Sequence, residues 1–326
     1  MTDAIIVKGV TKTFAENVAV RDLDLVVPEH GLYGFIGPNG AGKTTTIRLL
    51  MSIMFPDRGE ISVLGHMSAL DAKDRIGYLP EERGVHKKMK VAAFLAYIAH
   101  LKGQRGPNIA QKVRNWLERV GLAEVENKRC EELSKGMQQK IQFIATVIHE
   151  PDLLILDEPF SGLDPVNMRL LRDLVLEQYE RGATIIFSTH VMIQAEQICD
   201  HIVMINDGDK VLDESLQAIQ TRFDPRTILF EPIDYEADVG PLNHLPGVES
   251  VSREGSAYEI GLAYGSDPSA TIREIVTALP TARVELRRPT LEDIFIQIVQ
   301  GEGVSSDEMA QLRASLRSDS PAEVAS

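Results

Sequence analysis

The feature that most constrains the fold is a glycine-rich stretch that runs from Gly37 to Thr45. It fits the pattern of Gly, any four residues, Gly, Lys and then Ser or Thr, which is typical of a phosphate-binding loop. Residues 31–36 before it are apolar, as in a short buried strand, and residues 46–51 after it read as the first turns of a helix. Because the pattern has structural meaning only between a strand and a helix, this context predicts a nucleotide-binding α/β core.

Each residue type in this loop has a physical task. Glycines let several backbone N–H groups converge on one anion, and a helix that begins near Gly42 adds the positive end of its dipole. Lys43 supplies a charge for the outer phosphates, and the Thr44 hydroxyl can bind Mg²⁺. The predicted nucleotide-binding residues of the loop are Gly37, Pro38, Asn39, Gly40, Ala41, Gly42, Lys43, Thr44 and Thr45. The alternative is a Gly-rich turn that binds nothing, but a chance match is expected in only roughly 1 of 100 chains of this length.

The composition limits the class of protein. A chain of 326 residues predicts one large domain plus a smaller one, or two of middling size. The formal net charge of −14 argues against a broad nucleic-acid-binding face, and two isolated cysteines, Cys130 and Cys199, indicate a reducing compartment. The acidic start Met1–Asp3 is unlike a signal peptide, and no apolar run approaches the ~20 residues that cross a bilayer. We therefore expect a cytoplasmic protein that reaches the membrane only through a partner.

Acidic residues follow a second apolar run. Residues 153–156 are all Leu or Ile and lead into Asp157 and Glu158, as in a strand buried on both faces of a parallel sheet. Ligands of such sheets bind at the carboxyl ends of the strands, so a metal-binding and catalytic role is favoured over a strand that simply ends in polar residues. A further predicted buried strand, residues 184–188, is followed by Thr189 and His190. His190 therefore lies at the same predicted edge of the sheet as the two acids. A single His is more often structural, so the pattern alone leaves its role open.

The remaining patterns predict how the chain is divided. Apolar residues recur at three- and four-residue spacing over 91–121, which indicates helices inserted in the α/β core. Ser134 is a reasonable N-cap for a further helix, and taken alone that segment would be no more than a capped helix. The composition shifts near Thr221, and a tail rich in Ser, Ala, Asp and Glu follows a small α+β domain. The predicted domains are residues 1–220 with a helical insertion at about 82–150, residues 221–300, and a disordered tail at 301–326.

The ordered set of motifs resembles the ATP-binding subunit of an ABC transporter, most closely the bacterial subunits of drug- or sodium-export type. The resemblance is strong over residues 1–220, and the later arrangement looks like the accessory domain at the end of many such subunits. It implies an α/β P-loop NTPase core with an antiparallel β subdomain and a helical insertion, plus a small C-terminal α+β domain. It also implies a subunit that dimerises around two ATP molecules and hydrolyses them to drive a separate permease, as an exporter.

The resemblance assigns a role to each matching residue. Phe14 falls where the family places the aromatic side chain that stacks on adenine, and Asp164 lies in the loop that crosses the dimer interface. Asp157 would serve Mg²⁺ through water, Glu158 would be the general base, and His190 would contact the γ-phosphate. The catalytic residues implied are thus Lys43, Glu158 and His190, and the metal-binding residues are Thr44, Asp157 and Glu81.

The segment around Ser134 matches the family's signature sequence, with two departures. Ser134 and Gly136 would hold the γ-phosphate of ATP bound to the opposite subunit, while Lys135 and Met137 replace the usual Gly and Gln. A third departure is Glu81, which stands where the family has a Gln that binds Mg²⁺ and senses the permease. A carboxylate can still bind a hard cation, but it adds negative charge near the γ-phosphate.

The expected cofactors are ATP and Mg²⁺, and the expected partners are a second ATP-binding subunit, identical or related, and an integral membrane permease. No nucleic acid is expected. One alternative is a soluble ABC ATPase that acts on the ribosome or on DNA; the single phosphate-binding loop and the acidic composition disfavour it, since ribosome-acting members usually carry two such domains. Another is a kinase with the same loop, which the signature segment and the acid pair disfavour.

Overall fold

The computed structural model describes residues 2–82, 84–223, 227–263 and 265–300. The described chain divides into two compact units, one that ends at Leu216 and one that begins at Gln217. This division lies four residues before the predicted domain end at residue 220. The predicted disordered tail, residues 301–326, lies outside the described residues.

The first unit alternates strands and helices after two long initial strands. In chain order its elements are β1 (Asp3–Phe14), β2 (Asn17–Pro28), β3 (Leu32–Ile36), α1 (Lys43–Leu50), β4 (Arg58–Val63), β5 (Ile76–Leu79), α2 (Val91–Leu101), α3 (Ile109–Arg119), α4 (Lys135–Val147), β6 (Leu153–Asp157), α5 (Pro165–Glu180), β7 (Thr184–Thr189), α6 (Met192–Ile198), β8 (His201–Asn206) and β9 (Asp209–Ser215).

The core of this unit is a six-stranded sheet of order β5-β6-β7-β3-β8-β9. Its neighbouring strands are parallel except for β9, which runs antiparallel to β8. Every residue of β3, β6 and β7 is buried, which explains why these strands are continuous apolar runs with little alternation. Because β3, β6 and β7 are parallel neighbours, the loops that follow them meet at one edge of the sheet.

An antiparallel sheet of order β2-β1-β4 forms the predicted β subdomain. Alternate residues of β1 and β2 point into a buried apolar cluster that also contains Ile47 and Leu50 of α1. Burying one face of each strand explains the alternation of apolar and polar residues in β2, such as Leu23, Leu25 and Val27. The subdomain thereby fixes the direction in which α1 leaves the phosphate-binding loop.

Helices α2, α3 and α4 occupy the predicted insertion. The spacing of apolar residues is explained by burial, since Phe94 and Leu95 of α2 and Trp116 and Leu117 of α3 are all buried. The region predicted as helical over 91–121 is two helices, separated at residues 102–108. Helix α4 begins as predicted, with the Ser134 side chain as its N-cap.

The second unit is a small α+β arrangement. The boundary between the units lies at the start of α7 (Leu216–Arg222). The elements after this helix are β10 (Thr227–Pro232), β11 (Val248–Glu254), β12 (Ala257–Leu262), α8 (Pro268–Ala278), β13 (Thr281–Arg287) and α9 (Leu291–Gln300). The four strands form an antiparallel sheet of order β11-β12-β10-β13. Its core includes Phe230, Ile260 and Ile275, the last from α8. Thr290 and Asp293 cap α9 reciprocally through their side chains and backbone N–H groups.

Within the part of the chain that the structure describes, no helix is both long and apolar enough to cross a membrane.

Candidate nucleotide-binding and hydrolysis site

The phosphate-binding loop joins β3 to α1 at the carboxyl edge of the six-stranded sheet. Two of its glycines are required by backbone packing as well as by conformation. Gly37 has φ +154°, and a Cβ there would lie 2.0 Å from the carbonyl oxygen of Ile205. Gly42, the N-cap of α1, has φ +110°, and a Cβ there would lie 2.3 Å from the carbonyl oxygen of Ala19. Side chains at these positions would push the loop away from the strands that support it.

Lys43 is buried within this loop. Its ammonium group donates hydrogen bonds to the carbonyl oxygens of Gly37, at 2.8 Å, and of Pro38, at 3.0 Å. Burial lowers the pKa of Lys43, while the nearby carboxylates of Glu158, Asp157 and Glu81 act to raise it. An ammonium group has three donors, so one remains for a further acceptor.

Asp157 ends β6 with its carboxylate almost fully buried, at 1% exposure. Its Oδ1 accepts hydrogen bonds from the Ser188 hydroxyl at 3.0 Å and from the Thr44 hydroxyl at 3.4 Å. Burial raises the pKa of Asp157, and the two hydroxyl bonds oppose this rise. Its Oδ2 is buried and has no hydrogen-bond partner among the described residues. A buried carboxylate oxygen without a partner, beside a threonine hydroxyl, fits the oxygen ligands that Mg²⁺ prefers.

Within the described chain, no group of three or more His, Cys, Asp or Glu side chains converges as a self-sufficient metal cage. Mg²⁺ is usually held by one or two carboxylates together with waters and substrate phosphates. The residues present therefore fit a cation that is bound mainly through a nucleotide.

Glu158 follows β6 in a strained backbone conformation, with φ +46°. Its N–H donates to the Ser188 carbonyl at 3.0 Å, which anchors the turn on β7. Its Oε1 accepts two hydrogen bonds from His190, one from the backbone N–H at 2.8 Å and one from Nδ1 at 2.7 Å. Because a carboxylate can only accept, His190 Nδ1 carries a proton in this contact. His190 Nε2 is buried without a partner among the described residues.

Thr189 completes the support of Glu158. Its hydroxyl lies 3.2 Å from Glu158 Oε2 and 3.1 Å from the side-chain amide of Gln194, and it accepts a hydrogen bond from the Val191 N–H at 3.0 Å. Both carboxylate oxygens of Glu158 are therefore held by β7 and the residue that follows it. Sequence reasoning missed Thr189 and Ser188, although both directly precede His190 at the end of an apolar run.

A cavity of about 170 Å³ lies over the phosphate-binding loop. It is lined by Asn39, Gly40, Gly42, Lys43, Thr44, Thr45, Glu81 and Glu158. Pockets for whole small molecules are typically about 300–1,000 Å³, so this volume suits the phosphate end of a nucleotide and leaves the base outside. Glu81 thus lies beside the predicted catalytic residues, in the region where the resemblance places it.

Phe14 lies at the end of β1 and is 43% exposed. The Lys12 ammonium lies 5.7 Å from the centre of its ring. Asp57 accepts hydrogen bonds from Lys12 Nζ at 2.8 Å and from the Thr13 N–H at 2.7 Å, so the end of the strand is held from the turn before β4. An exposed aromatic ring on a fixed backbone is suited to stacking on a base.

Ser134, Gly136 and Asp164 are not among the described residues that line the loop cavity. Ser134 is exposed, and its hydroxyl accepts a hydrogen bond from the Met137 N–H at 3.3 Å. Asp164 caps α5, and the hydrogen bonds it accepts from Asn167 lower its pKa. The structure thus brings the loop, Asp157, Glu158 and His190 together but leaves the signature residues outside this cavity.

A larger, shallow depression of about 480 Å³ lies on the second unit. It is lined by one face of α8 together with Leu245. It contains none of the predicted site residues, so size alone does not locate the chemistry of this chain.

Comparison with known proteins places this geometry in a family. Residues 20–161 match the family model of ABC transporters, and residues 215–299 match that of the C-terminal domain of DrrA1-3-like ATP-binding proteins. The chain is 40% identical over 291 residues to the ABC transporter ATP-binding protein YhaQ of Bacillus subtilis (strain 168), covering 89% of this chain and 96% of that protein. It is 31% identical to the Nod factor export ATP-binding protein I of Rhizobium sp. (strain N33), covering 92% of this chain and 98% of that protein.

A solved structure of an ATP-binding subunit of an ABC transporter superposes with a TM-score of 0.63 at 30% identity, covering 68% of this chain and 93% of that one. The predicted family and fold class are therefore confirmed. With its phosphate-binding loop, buried acid pair and near full-length similarity to such subunits, the chain belongs to the family of ABC transporter ATP-binding proteins, whose members bind and hydrolyse ATP.

Proposed function

We propose that this chain closes with a second ATP-binding subunit around two ATP molecules, and that this closure drives a separate membrane permease, as an exporter. The observation that carries the proposal is the division of the site. Lys43 and Glu158 line the loop cavity, whereas Ser134 is exposed and lies outside that lining. The loop cavity supplies a base, a lysine and the start of α1, but the start of α4 lies outside the cavity and would come from another subunit.

Within one subunit, each residue of the loop region has a definite part. Lys43 binds the outer phosphates, and Phe14 stacks on the adenine that the small cavity leaves outside. Thr44, Asp157 and Glu81 would hold Mg²⁺, which when bound neutralises charge on the phosphates. Glu158 orients the attacking water and accepts its proton. These roles agree with the chemistry, since phosphoryl transfer to water is catalysed mainly by positioning and charge neutralisation.

His190 has two tasks in this scheme. In the structure it holds Glu158 Oε1 through both its backbone N–H and Nδ1, which fixes the direction of the carboxylate. Its Nε2, which has no partner among the described residues, would donate to the γ-phosphate when both ring nitrogens carry protons. His190 thereby links the position of the base to the presence of the phosphate on which it acts.

The opposite subunit supplies the start of α4. Ser134 caps this helix, and the first N–H groups of a helix carry partial positive charge that suits a phosphate. Gly136 lies in the first turn and allows close approach of the phosphate to the backbone. Asp164, at the start of α5, belongs to the loop that would cross the interface.

The permease would dock near residues 85–99. Helix α2 presents Tyr97, which is 45% exposed, and Leu101, which is 56% exposed, and the exposed His86 packs edge-on against Tyr97. The segment that leads to this surface also carries Glu81, so docking and the ATP site share one stretch of chain. The export function named for one relative supports the direction of transport. In this proposal the subunit lies in the cytoplasm, on the inner face of the membrane.

Affinity purification from detergent-solubilised membranes tests this function. We expect a multi-spanning integral membrane protein to be recovered with the tagged full chain and to be lost with Tyr97→Asp. Val276→Asp is the matched control, since Val276 is a similarly exposed residue, at 47%, of the second unit. Recovery of no membrane protein would contradict the proposal, and salt-sensitive co-sedimentation with ribosomes would favour the soluble ABC ATPase instead.

A further inference from the structure

Helix α4 carries two buried amide side chains that the proposed hydrolysis does not use. Gln139 is 4% exposed and Gln142 is 5% exposed. They are three residues apart, so they lie on one face of the helix. Burying an amide is unfavourable unless its donors and acceptor are hydrogen-bonded, so the contacts of these side chains indicate what they hold in place.

Gln142 binds the backbone on both sides of Glu81. Its Nε2 donates to the carbonyl oxygens of Glu82, at 3.2 Å, and of Pro80, at 3.4 Å, and its Oε1 accepts from the Gly84 N–H at 3.3 Å. Both ends of the amide are used, so its orientation is determined by the contacts. A single side chain thus makes three hydrogen bonds to the segment that carries Glu81.

This segment has little other support from regular structure. It follows β5, which ends at Leu79, and the described residues from Pro80 to Val85 belong to no helix or strand. Glu81 is itself exposed and lines the loop cavity. The position of its carboxylate relative to Lys43 and Asp157 therefore depends on how the neighbouring backbone is held.

Gln139 makes a similar contact with the chain beside Glu158. Its Nε2 donates to the carbonyl oxygen of Pro159 at 3.0 Å. Pro159 directly follows Glu158, the proposed base. One face of α4 is thus bonded both to the chain beside Glu81 and to the chain beside Glu158, while the same helix begins at Ser134.

We propose that Gln142 is a positioning residue that holds Glu81 at the phosphate-binding cavity and makes its position depend on helix α4. The inference rests on the proposed role of Glu81 as a ligand of Mg²⁺. It adds that the backbone at Pro80, Glu82 and Gly84, which leads to the proposed docking surface, is coupled to helix α4 through the Gln142 side chain.

The hydrogen bonds themselves are tested by amide exchange on the full chain without nucleotide. Gln142→Met keeps the length of the side chain but removes all three bonds, and Gln139→Met is the matched control at the other contact. We expect exchange of the Gly84 N–H to rise about 3- to 10-fold in Gln142→Met, the effect of one ordinary hydrogen bond. Gln139→Met should leave it unchanged. Equal protection of Gly84 in both variants would overturn the proposal.

A double-mutant cycle tests whether Gln142 acts through Glu81. We expect Gln142→Met to raise the Mg²⁺ concentration for half-maximal ATPase activity and to lower kcat, with the Kd for ATP unchanged because the loop and Lys43 are intact. In a Glu81→Ala background the same substitution should have no further effect on either quantity. Equal effects in both backgrounds would overturn the proposal.

Two further results separate this inference from the proposed function. If Glu81→Ala leaves the Mg²⁺ requirement unchanged, the assignment of Glu81 to the metal fails, whereas the exchange of Gly84 still reports on the contact with Gln142. If Gln142→Met does not fold, Gln142→Glu retains the acceptor for the Gly84 N–H and lacks the two donors. It should keep Gly84 protected and still raise the Mg²⁺ requirement; an unchanged requirement would overturn the proposal.

Discussion

At the scale of single residues, burial and charge oppose each other at Lys43. Burial lowers its pKa, yet two backbone carbonyls and three nearby carboxylates favour the charged form. The loop therefore keeps an ammonium group in place before any phosphate arrives. This preorganisation reduces the ordering that binding requires.

Lys43→Ala should weaken ATP binding by about 10- to 100-fold, because a hydrogen bond to a charged group contributes about 1.5–3 kcal/mol. The measurement is the Kd for a fluorescent ATP analogue. Lys102→Met is a matched control, since the Lys102 ammonium is also bonded to backbone carbonyls, those of Lys73 at 2.6 Å and Ile76 at 2.8 Å, outside the loop cavity. Unchanged affinity in Lys43→Ala, or an equal loss in Lys102→Met, would contradict the assignment.

His149 provides a prediction on pH. It is 5% exposed, and its Nε2 donates to the Ile76 carbonyl at 3.1 Å. Burial, and then the charge of Lys102, lower its pKa to about 4. The unfolded chain takes up this proton near pH 6.5, so the native state is favoured above that pH and loses this contribution as the pH falls towards 4.

The free energy of unfolding should therefore fall by about 2 kcal/mol between pH 8 and pH 5 because of His149 alone. His149→Gln keeps a donor that reaches the Ile76 carbonyl but does not titrate. Its urea-unfolding free energy, measured across the same range, should decline less steeply by that amount. Parallel declines in the two proteins would show that His149 is not held neutral.

At the scale of elements, local sequence signals identified the helix starts and the buried strands. Ser134 caps α4 as predicted, because a cap depends on residues three positions apart. The apolar run before Asp157 is a fully buried strand, as its continuity indicates. The ordered motifs identified the loop residues, Asp157, Glu158 and Glu81 as site residues. The roles given to them remain proposals.

The contacts that support these residues could not be predicted. Gln142 bonds to a segment about 60 residues earlier, and Ser188 bonds to Asp157 across 31 residues. Nothing in the local pattern of α4 distinguishes a buried glutamine that holds another segment from one on a solvated face. Such contacts follow from tertiary packing, which a single sequence does not specify residue by residue.

The end of β1 gives a prediction at this scale. Hydrogen bonds from Lys12 and from the Thr13 N–H lower the pKa of Asp57, so its carboxylate stays charged and holds the strand end that carries Phe14. Asp57→Ala should weaken the binding of ATP by a few-fold, and less than Phe14→Ala, because aromatic stacking contributes about 0.5–1.5 kcal/mol. Binding of inorganic triphosphate, which has no base, should be unchanged in both variants. An equal loss for both ligands would place the effect at the phosphates.

At the scale of the whole molecule, the described chain holds two units of different character. The first contains every residue assigned to ATP, while the second matches the C-terminal domain family and contains none of them. Ser134 is exposed and lies outside the lining of the loop cavity. In the proposed function, a head-to-tail pair of subunits would bring Ser134 of one copy to the loop cavity of the other, twice by symmetry.

This arrangement predicts that arrested hydrolysis traps a dimer. In the native chain the His190 N–H donates to Glu158 Oε1 at 2.8 Å. The amide oxygen of Glu158→Gln can still accept this bond, but the amide cannot accept a proton from water. Activity should fall by about 10²- to 10⁴-fold, the usual contribution of a general base, while ATP still binds. Size-exclusion chromatography with ATP and Mg²⁺ should show a dimer, and ADP should give a monomer. Adding Lys43→Ala should abolish the dimer, because the phosphates that join the two subunits are then poorly held; a monomer under every condition would show that ATP does not join two copies of this chain.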